Sequence, residues 1–423
     1  MREEFLHYIW KYKLFKNQDL KTQNQEKLEV INQGIHNSDA GPDFFNARIK
    51  INDTIWVGNV EIHINSSDWY KHNHHLDKAY DNVILQVVLN NDKDVFRTNG
   101  QLIPTLAIEF DNEFLNNYES LIKNESWISC QSDIHRVDSF TIHNWIEKLA
   151  IERLEEKSER IHKLLEQTNS SWENAFYIQL ASNFGFKLNS TPFELLAKSL
   201  PLTYLAKHKD NLFQIEALLF GQAGFLEDKS GDEYFKNLKK EYIYLQKKFM
   251  LTPIEKHLWK FLRSRPGNFP TIRIAQYSKL IYSSTSLFSK ILEAKTIQDL
   301  YTLFIVNPSD YWESHYVFNK ESVKKSKSIG KSAVDIILIN TIIPFLFIYG
   351  DAKGQSELKT KAIELLEKLK SEKNAIITKW DELGVESENA FHSQALIQLK
   401  NEYCNHKKCL NCQIGNYIIR NNK

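Results

Sequence analysis

Proline, glycine, methionine and cysteine are all scarce in this chain, with 9, 14, 2 and 4 copies in 423 residues. So little proline and glycine excludes a collagen-like repeat and leaves no room for long low-complexity linkers. An excess of either charge is missing too, since 54 Lys+Arg stand against 53 Asp+Glu for a formal balance of +1. That excludes a coat protein that grips nucleic acid through bulk charge, while leaving room for a local basic groove. No apolar run approaches the roughly 18–20 residues that span a bilayer. The longest, 336–349, is interrupted by Asn340, Thr341 and Pro344 and is expected as a buried helix pair or strand. No basic start followed by an apolar leader opens the sequence, so a cytoplasmic location without a membrane partner is expected. What is present is ordinary for a globular protein: 42% hydrophobic, 25% charged and a high 12% aromatic residues. The length suits two to four domains.

Residues 1–16 carry Phe5, Leu6, Ile9, Trp10 and Leu14 on one helical stripe. From about 34 to 112 the pattern changes. Segments 47–51 and 55–64 alternate with period two around the turn signal Asn52-Asp53, which predicts a hairpin. Ser66-Ser67-Asp68 can start a short helix reaching about Tyr80, and the β-branched run Val83–Leu89 predicts a central strand. A further strand is expected near 102–110. Beyond 113 helical periodicity dominates, with amphipathic stretches from Ile142 to Leu165 and near 172–184, 192–206, 212–226, 233–249, 254–265, 272–282, 286–294 and 356–380. The expected fold class is therefore α+β. A small N-terminal α/β domain (1–112) precedes a larger all-α domain (113–400) and a Cys-rich tail (401–423).

The chemistry concentrates between 41 and 77. Gly41-Pro42-Asp43-Phe44 is followed, after a strand and a turn, by Gly58-Asn59-Val60-Glu61-Ile62-His63. A carboxylate at the start of one strand and another within its hairpin partner can converge at a sheet edge. Two such groups suit a hard divalent ion, Mg²⁺ or Mn²⁺. Residues 61 and 63 share a strand face, so His63 is expected beside that ion, where it would orient or deprotonate water. His72, His74 and Asp77, with His63, form a second candidate set for Zn²⁺ or Mn²⁺.

The Pro-Asp followed by Glu-x-basic, in a helix–hairpin–helix–strand order, resembles the PD-(D/E)XK nuclease superfamily. The resemblance covers about the first 110 of the 423 residues. It implies a restriction-endonuclease-like fold and hydrolysis of nucleic-acid phosphodiesters, with DNA preferred over RNA as partner. It also implies a metal held by Asp43 and Glu61, with an added acid, Glu3 or Glu4, from the first helix. The family's third residue is usually lysine, and here His63 stands in its place, without a lysine's fixed charge at neutral pH. A catalytically degenerate, nucleic-acid-binding or scaffold protein is the alternative. At full length the chain resembles the domain of unknown function 2851 family, on the two motifs above, Asp68-Trp69, His72-x-His74 with Asp77, the segment 217–224 and the Cys-rich end. That family supplies no activity.

Cys404, Cys409 and Cys412 fall at Cys-x4-Cys-x2-Cys spacing, and Cys130 is the one other cysteine. Four thiolates would suit structural Zn²⁺ or a [4Fe–4S] cluster, joined across more than 270 residues. Arg263, Arg265 and Arg273 lie around two prolines on a predicted interhelical loop, where they could contact a phosphate backbone or tie helix ends together. Gly330-Lys331-Ser332 is not a phosphate-binding loop, because Lys325 occupies the position where that motif requires glycine.

Overall fold

The hairpin at the centre of the N-terminal sheet carries one irregularity that decides where its acids point. Strand β3 (Phe44–Ile51) pairs antiparallel with β4 (Thr54–Asn65), Ala47 opposite Gly58 but Phe44 opposite Val60. One extra residue is therefore accommodated on β3, where Asn46 takes a left-handed φ of 57°. This is a β-bulge. Carried one residue further, the register sets Asp43 opposite Glu61, and residues directly opposite share a face. An unbulged ladder would set Asp43 opposite Ile62 and turn it to the other side.

The computed structural model describes residues 2–284 and 286–421. Helix α1 (Glu3–Lys11) buries Phe5, Leu6, Tyr8, Ile9 and Trp10, and its early acids and final Lys11 complement the helix dipole. Strands β1 (Leu28–Asn32) and β2 (Ile35–His36) both pair with β3. On the other side β4 runs parallel to β5 (Val83–Asn90), which runs parallel to β6 (Thr105–Ala107). The sheet is thus mixed, with its β5 run buried almost throughout, as expected of a strand covered on both faces. The expected helix through Tyr80 is only α2 (Asp68–Lys71), followed by 3₁₀ turns at His74–Leu76 and Lys78–Tyr80. Asn73, at φ 62°, reverses the chain between them. Trp69 anchors this segment in a cluster with Val83, Val95 and Ile103.

The remaining helices are α3 (Asn112–Lys123), α4 (Ser139–Gln167), α5 (Trp172–Phe184), α6 (Phe186–Ser199), α7 (Leu202–Ala206), α8 (Leu212–Gln222) and α9 (Glu233–Phe249). They continue with α10 (Pro270–Ser283), α11 (Leu287–Glu293), α12 (Ile297–Phe304), α13 (Lys331–Ile337), α14 (Ile343–Ala352), α15 (Ser356–Lys368), α16 (Ala375–Glu382), α17 (Ala390–Gln398) and α18 (Gln413–Asn421). A small hairpin, β7 (His315–Val317) and β8 (Lys320–Glu321), interrupts them. The chain divides into two units, a sheet unit of residues 1–145 with 399–423 and a helical unit of 146–398. The boundary expected at 112 thus lies within the sheet unit, and the tail is part of that unit rather than an appendage. The reason is visible in α18, which packs its apolar Ile414, Ile418 and Ile419 and accepts a bond from Asn117 of α3 at the Ile419 carbonyl (3.1 Å).

In the helical unit the apolar stretch is a single helical run, Lys331–Ala352, long and apolar enough for a bilayer by composition but with 72% of its apolar 18-residue window buried. It is a core helix. A π-turn at Leu338–Ile342 precedes Pro344, and the freed Asn340 carbonyl accepts from Asn183 (3.1 Å). The segment expected as a helix at 254–265 is irregular. Its polar groups are satisfied elsewhere: Ile254 N–H by the Gln222 carbonyl, Lys260 N–H and C=O by the Asn189 amide. The apolar segment 217–224 packs closely, since a Cβ on Gly221 would stand 2.0 Å from the Tyr242 ring.

Candidate functional site

Asp43, at the head of β3, and Glu61, within the interior strand β4, meet on one face of the sheet and lock one another. The Asp43 N–H donates to Glu61 Oε2 (3.1 Å), and the Ile62 N–H donates to Asp43 Oδ2 (2.9 Å). Glu61 is 5% exposed. Burial, and then the charge of Asp43, raise its carboxyl well above the ordinary range. A second carboxylate in so dry a place is stable only with a proton or a cation.

Imidazoles surround the pair. His7 of α1 brings Nε2 within 3.4 Å of Asp43 Oδ2, and His74 brings Nε2 within 3.1 Å of Glu61 Oε1. Neither nitrogen makes a well-directed hydrogen bond, although both are buried. His63, fully buried, lies 3.7 Å from Glu61 Oε1 and 3.2 Å from His72 Nδ1 through its Nε2. One ligand atom from each of His63, His72 and His74 lies within 4.8 Å of the others. This set of nitrogen and oxygen donors, with orphaned nitrogens aimed at carboxylates, fits a divalent cation. Imidazole among the donors shifts the preference from Mg²⁺ towards Mn²⁺ or Zn²⁺.

His63 is positioned from behind by Gln86, its neighbour on β5. The Gln86 amide reaches His63 Nδ1 (3.1 Å) and the Ser66 carbonyl (3.1 Å), and its oxygen accepts from Thr105 (3.4 Å). With Nδ1 accepting, the imidazole proton sits on Nε2 and is donated to His72 Nδ1 (3.2 Å). Burial, aided by His74 and His72, pushes the His63 pKa down to about 3. The ring is therefore neutral at pH 7. It is a weak base where it stands, and hydrogen bonds on both ring nitrogens fix its orientation.

Asp77 does not join the histidines. It is exposed and accepts the Ala79 N–H (2.9 Å), closing a 3₁₀ turn. Of the two candidate acids on α1, Glu3 faces the site, 3.9 Å from His7, whereas Glu4 lines the cavity that opens beside His7. His7 and Gln86 escaped the sequence reading. The lone glutamine within an otherwise apolar strand was a usable signal; nothing local distinguished His7.

A cavity of about 650 Å³ opens beside His7 within the sheet unit. Its walls include Lys11 and His36 together with His406, Lys407 and Lys408 from the tail. The four cysteines are all free thiols, and all four line a smaller cavity of about 20 Å³. Burial raises each of them, Cys412 to about 12.

In the helical unit Arg263 and Arg265 are exposed on the loop before α10. Arg273 is 5% exposed. It donates to Gln276 (2.9 Å) and Asn268 (2.6 Å) and stacks on Phe186. It braces that loop, so a phosphate contact from Arg273 is corrected to a structural tie.

Fold and site together define an α+β protein with a buried acid–histidine cluster on a mixed sheet. The chain belongs to the family described as Protein of unknown function (DUF2851), which it matches over residues 3–375. No match was found among curated proteins or among solved structures.

Proposed function

We propose that the sheet unit is a divalent-metal-dependent nuclease of the PD-(D/E)XK kind, hydrolysing nucleic-acid phosphodiesters at the Asp43–Glu61 pair. The observation that carries this reading is the mutual backbone lock of the two carboxylates, with the unsatisfied Nε2 atoms of His7 and His74 directed at them. Asp43 and Glu61 would hold Mg²⁺ or, given the imidazoles, Mn²⁺. The ion supplies Lewis acidity and a water acidic enough to attack near pH 7. The neutral His63 would stand beside that water, with Gln86 and His72 fixing its ring. Lys407, Lys408 and Lys11, beside the site, offer charge to the phosphate backbone. Hydrolysis would join the water oxygen to phosphorus and break one phosphorus–oxygen bond to sugar, the water's proton passing through solvent to the departing sugar oxygen.

The non-catalytic alternative draws on the same His63, which brings no positive charge where the superfamily's lysine would. Labelled single-stranded, duplex and branched DNA, and RNA, incubated with Mg²⁺ or Mn²⁺ separate the two. Cleavage that falls on the order of 10³-fold in Glu61→Gln is expected for a nuclease. Binding without any cleavage by the wild-type protein would leave the scaffold reading in its place.

A further inference from the structure

The four cysteines come from two distant stretches of one unit. Cys130 sits in a tight turn whose carbonyl accepts from Asp133 (3.0 Å) and Ile134 (2.9 Å). Cys404 ends the π-turn Leu399–Cys404, Cys409 opens a 3₁₀ turn, and Cys412 immediately precedes α18. Ser129, Tyr403 and Gly415 complete the lining of the small cavity that the four cysteines share. Gly415 makes the close fit possible, because a Cβ there would stand 2.2 Å from the Cys409 carbonyl oxygen. Around this knot the tail is fastened by Lys400 on the Trp127 carbonyl (2.7 Å) and Lys407 on the Ile122 carbonyl (2.6 Å).

Four unpaired thiols around one small cavity are poor packing and good ligands. We infer that Cys130, Cys404, Cys409 and Cys412 hold a soft-metal centre, either zinc or an iron–sulfur cluster, and that this centre fixes the basic segment 405–408 as a wall of the cavity beside the acid–histidine site. Each thiol gives its proton to solvent as its sulfur takes the metal, with no change of oxidation state. Asn405, His406, Lys407 and Lys408 are all exposed, held by backbone bonds to 400–404 and by Lys407 on the Ile122 carbonyl, and Cys404 and Cys409 bracket them. Ligation at both ends would hold the lysines over the cavity with His7 and His36 opposite. The metal centre stands on the cysteines alone; the role of its wall in holding a polyanion rests on the nuclease reading.

The test uses the full chain, purified without oxygen. Elemental analysis should give about one zinc, or about four iron with matching sulfide, per chain. X-ray absorption at that metal's edge should show an all-sulfur shell at about 2.3 Å. Cys130→Ser and Cys412→Ser should each lose the metal, and Glu61→Gln should retain it. Wild-type protein without stoichiometric metal, or a metal in a nitrogen–oxygen shell, overturns the centre even if the cysteine variants fail to fold. The double variant Lys407→Ala, Lys408→Ala should keep the metal but bind a fluorescent single-stranded oligonucleotide about tenfold more weakly at low salt. Unchanged binding overturns the wall. Metal present without any cleavage by wild type removes the nuclease reading and leaves the centre standing.

Discussion

Two buried glutamates, Glu61 in the sheet unit and Glu216 in the helical unit, differ in what surrounds them. Both are nearly inaccessible, and burial raises both. Glu216 is answered by the protein: Tyr234 donates to one oxygen (2.6 Å) and Ser309 to the other (2.8 Å). Glu61 accepts one backbone N–H, then faces a second carboxylate and imidazole nitrogens that do not complete hydrogen bonds with it. The first arrangement is a finished core contact; the second is completed by a proton or, on the proposed reading, by a cation. A buried ionisable group therefore signals function when its partners are ionisable and unsatisfied, and structure when they are hydroxyls already in place.

The largest expected effect follows from this contrast. Glu61→Gln should weaken Mn²⁺ binding by at least about 100-fold, measured by calorimetry, because a neutral amide removes one charge from the donor set. Glu216→Gln should leave Mn²⁺ affinity unchanged. The pH dependence has a definite sign. Since burial and Asp43 raise the Glu61 carboxyl, a proton competes with the cation, so wild-type affinity should climb as pH rises above the ordinary carboxylate range. Affinity flat from pH 5 to 8 would mean that Glu61 is not a ligand.

Glu216 tests the other side. Its carboxyl is raised by burial to about 7 from 4.5, with Tyr234 and Ser309 opposing. Below the unfolded value the acid is protonated in both states and costs nothing. As pH climbs, the unfolded chain ionises first and stability is lost until the folded group follows near pH 7. Glu216→Gln should therefore gain relative to wild type between pH 4.5 and 7 and level off above. The plateau difference is on the order of 3 kcal/mol, reduced by any hydrogen bond the amide loses. Urea unfolding across that range gives the curve, and a constant difference at every pH would break the assignment.

The sequence made some of this readable. Alternation in 47–51 and 55–64 with a turn signal between them is local, and the strands form there. Glu61 and His63 share a face for the same local reason. What stayed hidden depends on packing between distant segments. His7 reaches Asp43 only because α1 docks against the sheet, and α1 alone presents it as one polar residue among many. The run 254–265 looks helical by periodicity, yet Asn189, Gln222 and Ala223 capture its polar groups. Cysteine spacing suggested a shared centre, but not that the tail would stand in the sheet unit.

The smallest effect probes the feature least visible in sequence, the bulge that aims Asp43. Asn46 holds φ at 57°, a conformation open to asparagine and glycine but strained for a β-branched side chain by about 1–2 kcal/mol. Asn46→Val should lower stability by about that amount, and Asn46→Gly should change it little. The informative readout is the site rather than the stability. If valine drives β3 into a regular ladder, Asp43 moves opposite Ile62 and leaves the face of Glu61, so Mn²⁺ binding should fall in Asn46→Val and survive in Asn46→Gly. Equal Mn²⁺ affinity in both variants would show that the Asp43 lock, through Ile62 N–H and Glu61, holds the acid in place without the bulge. The contrast between the two glutamates would then rest on side-chain bonding alone and owe nothing to strand register.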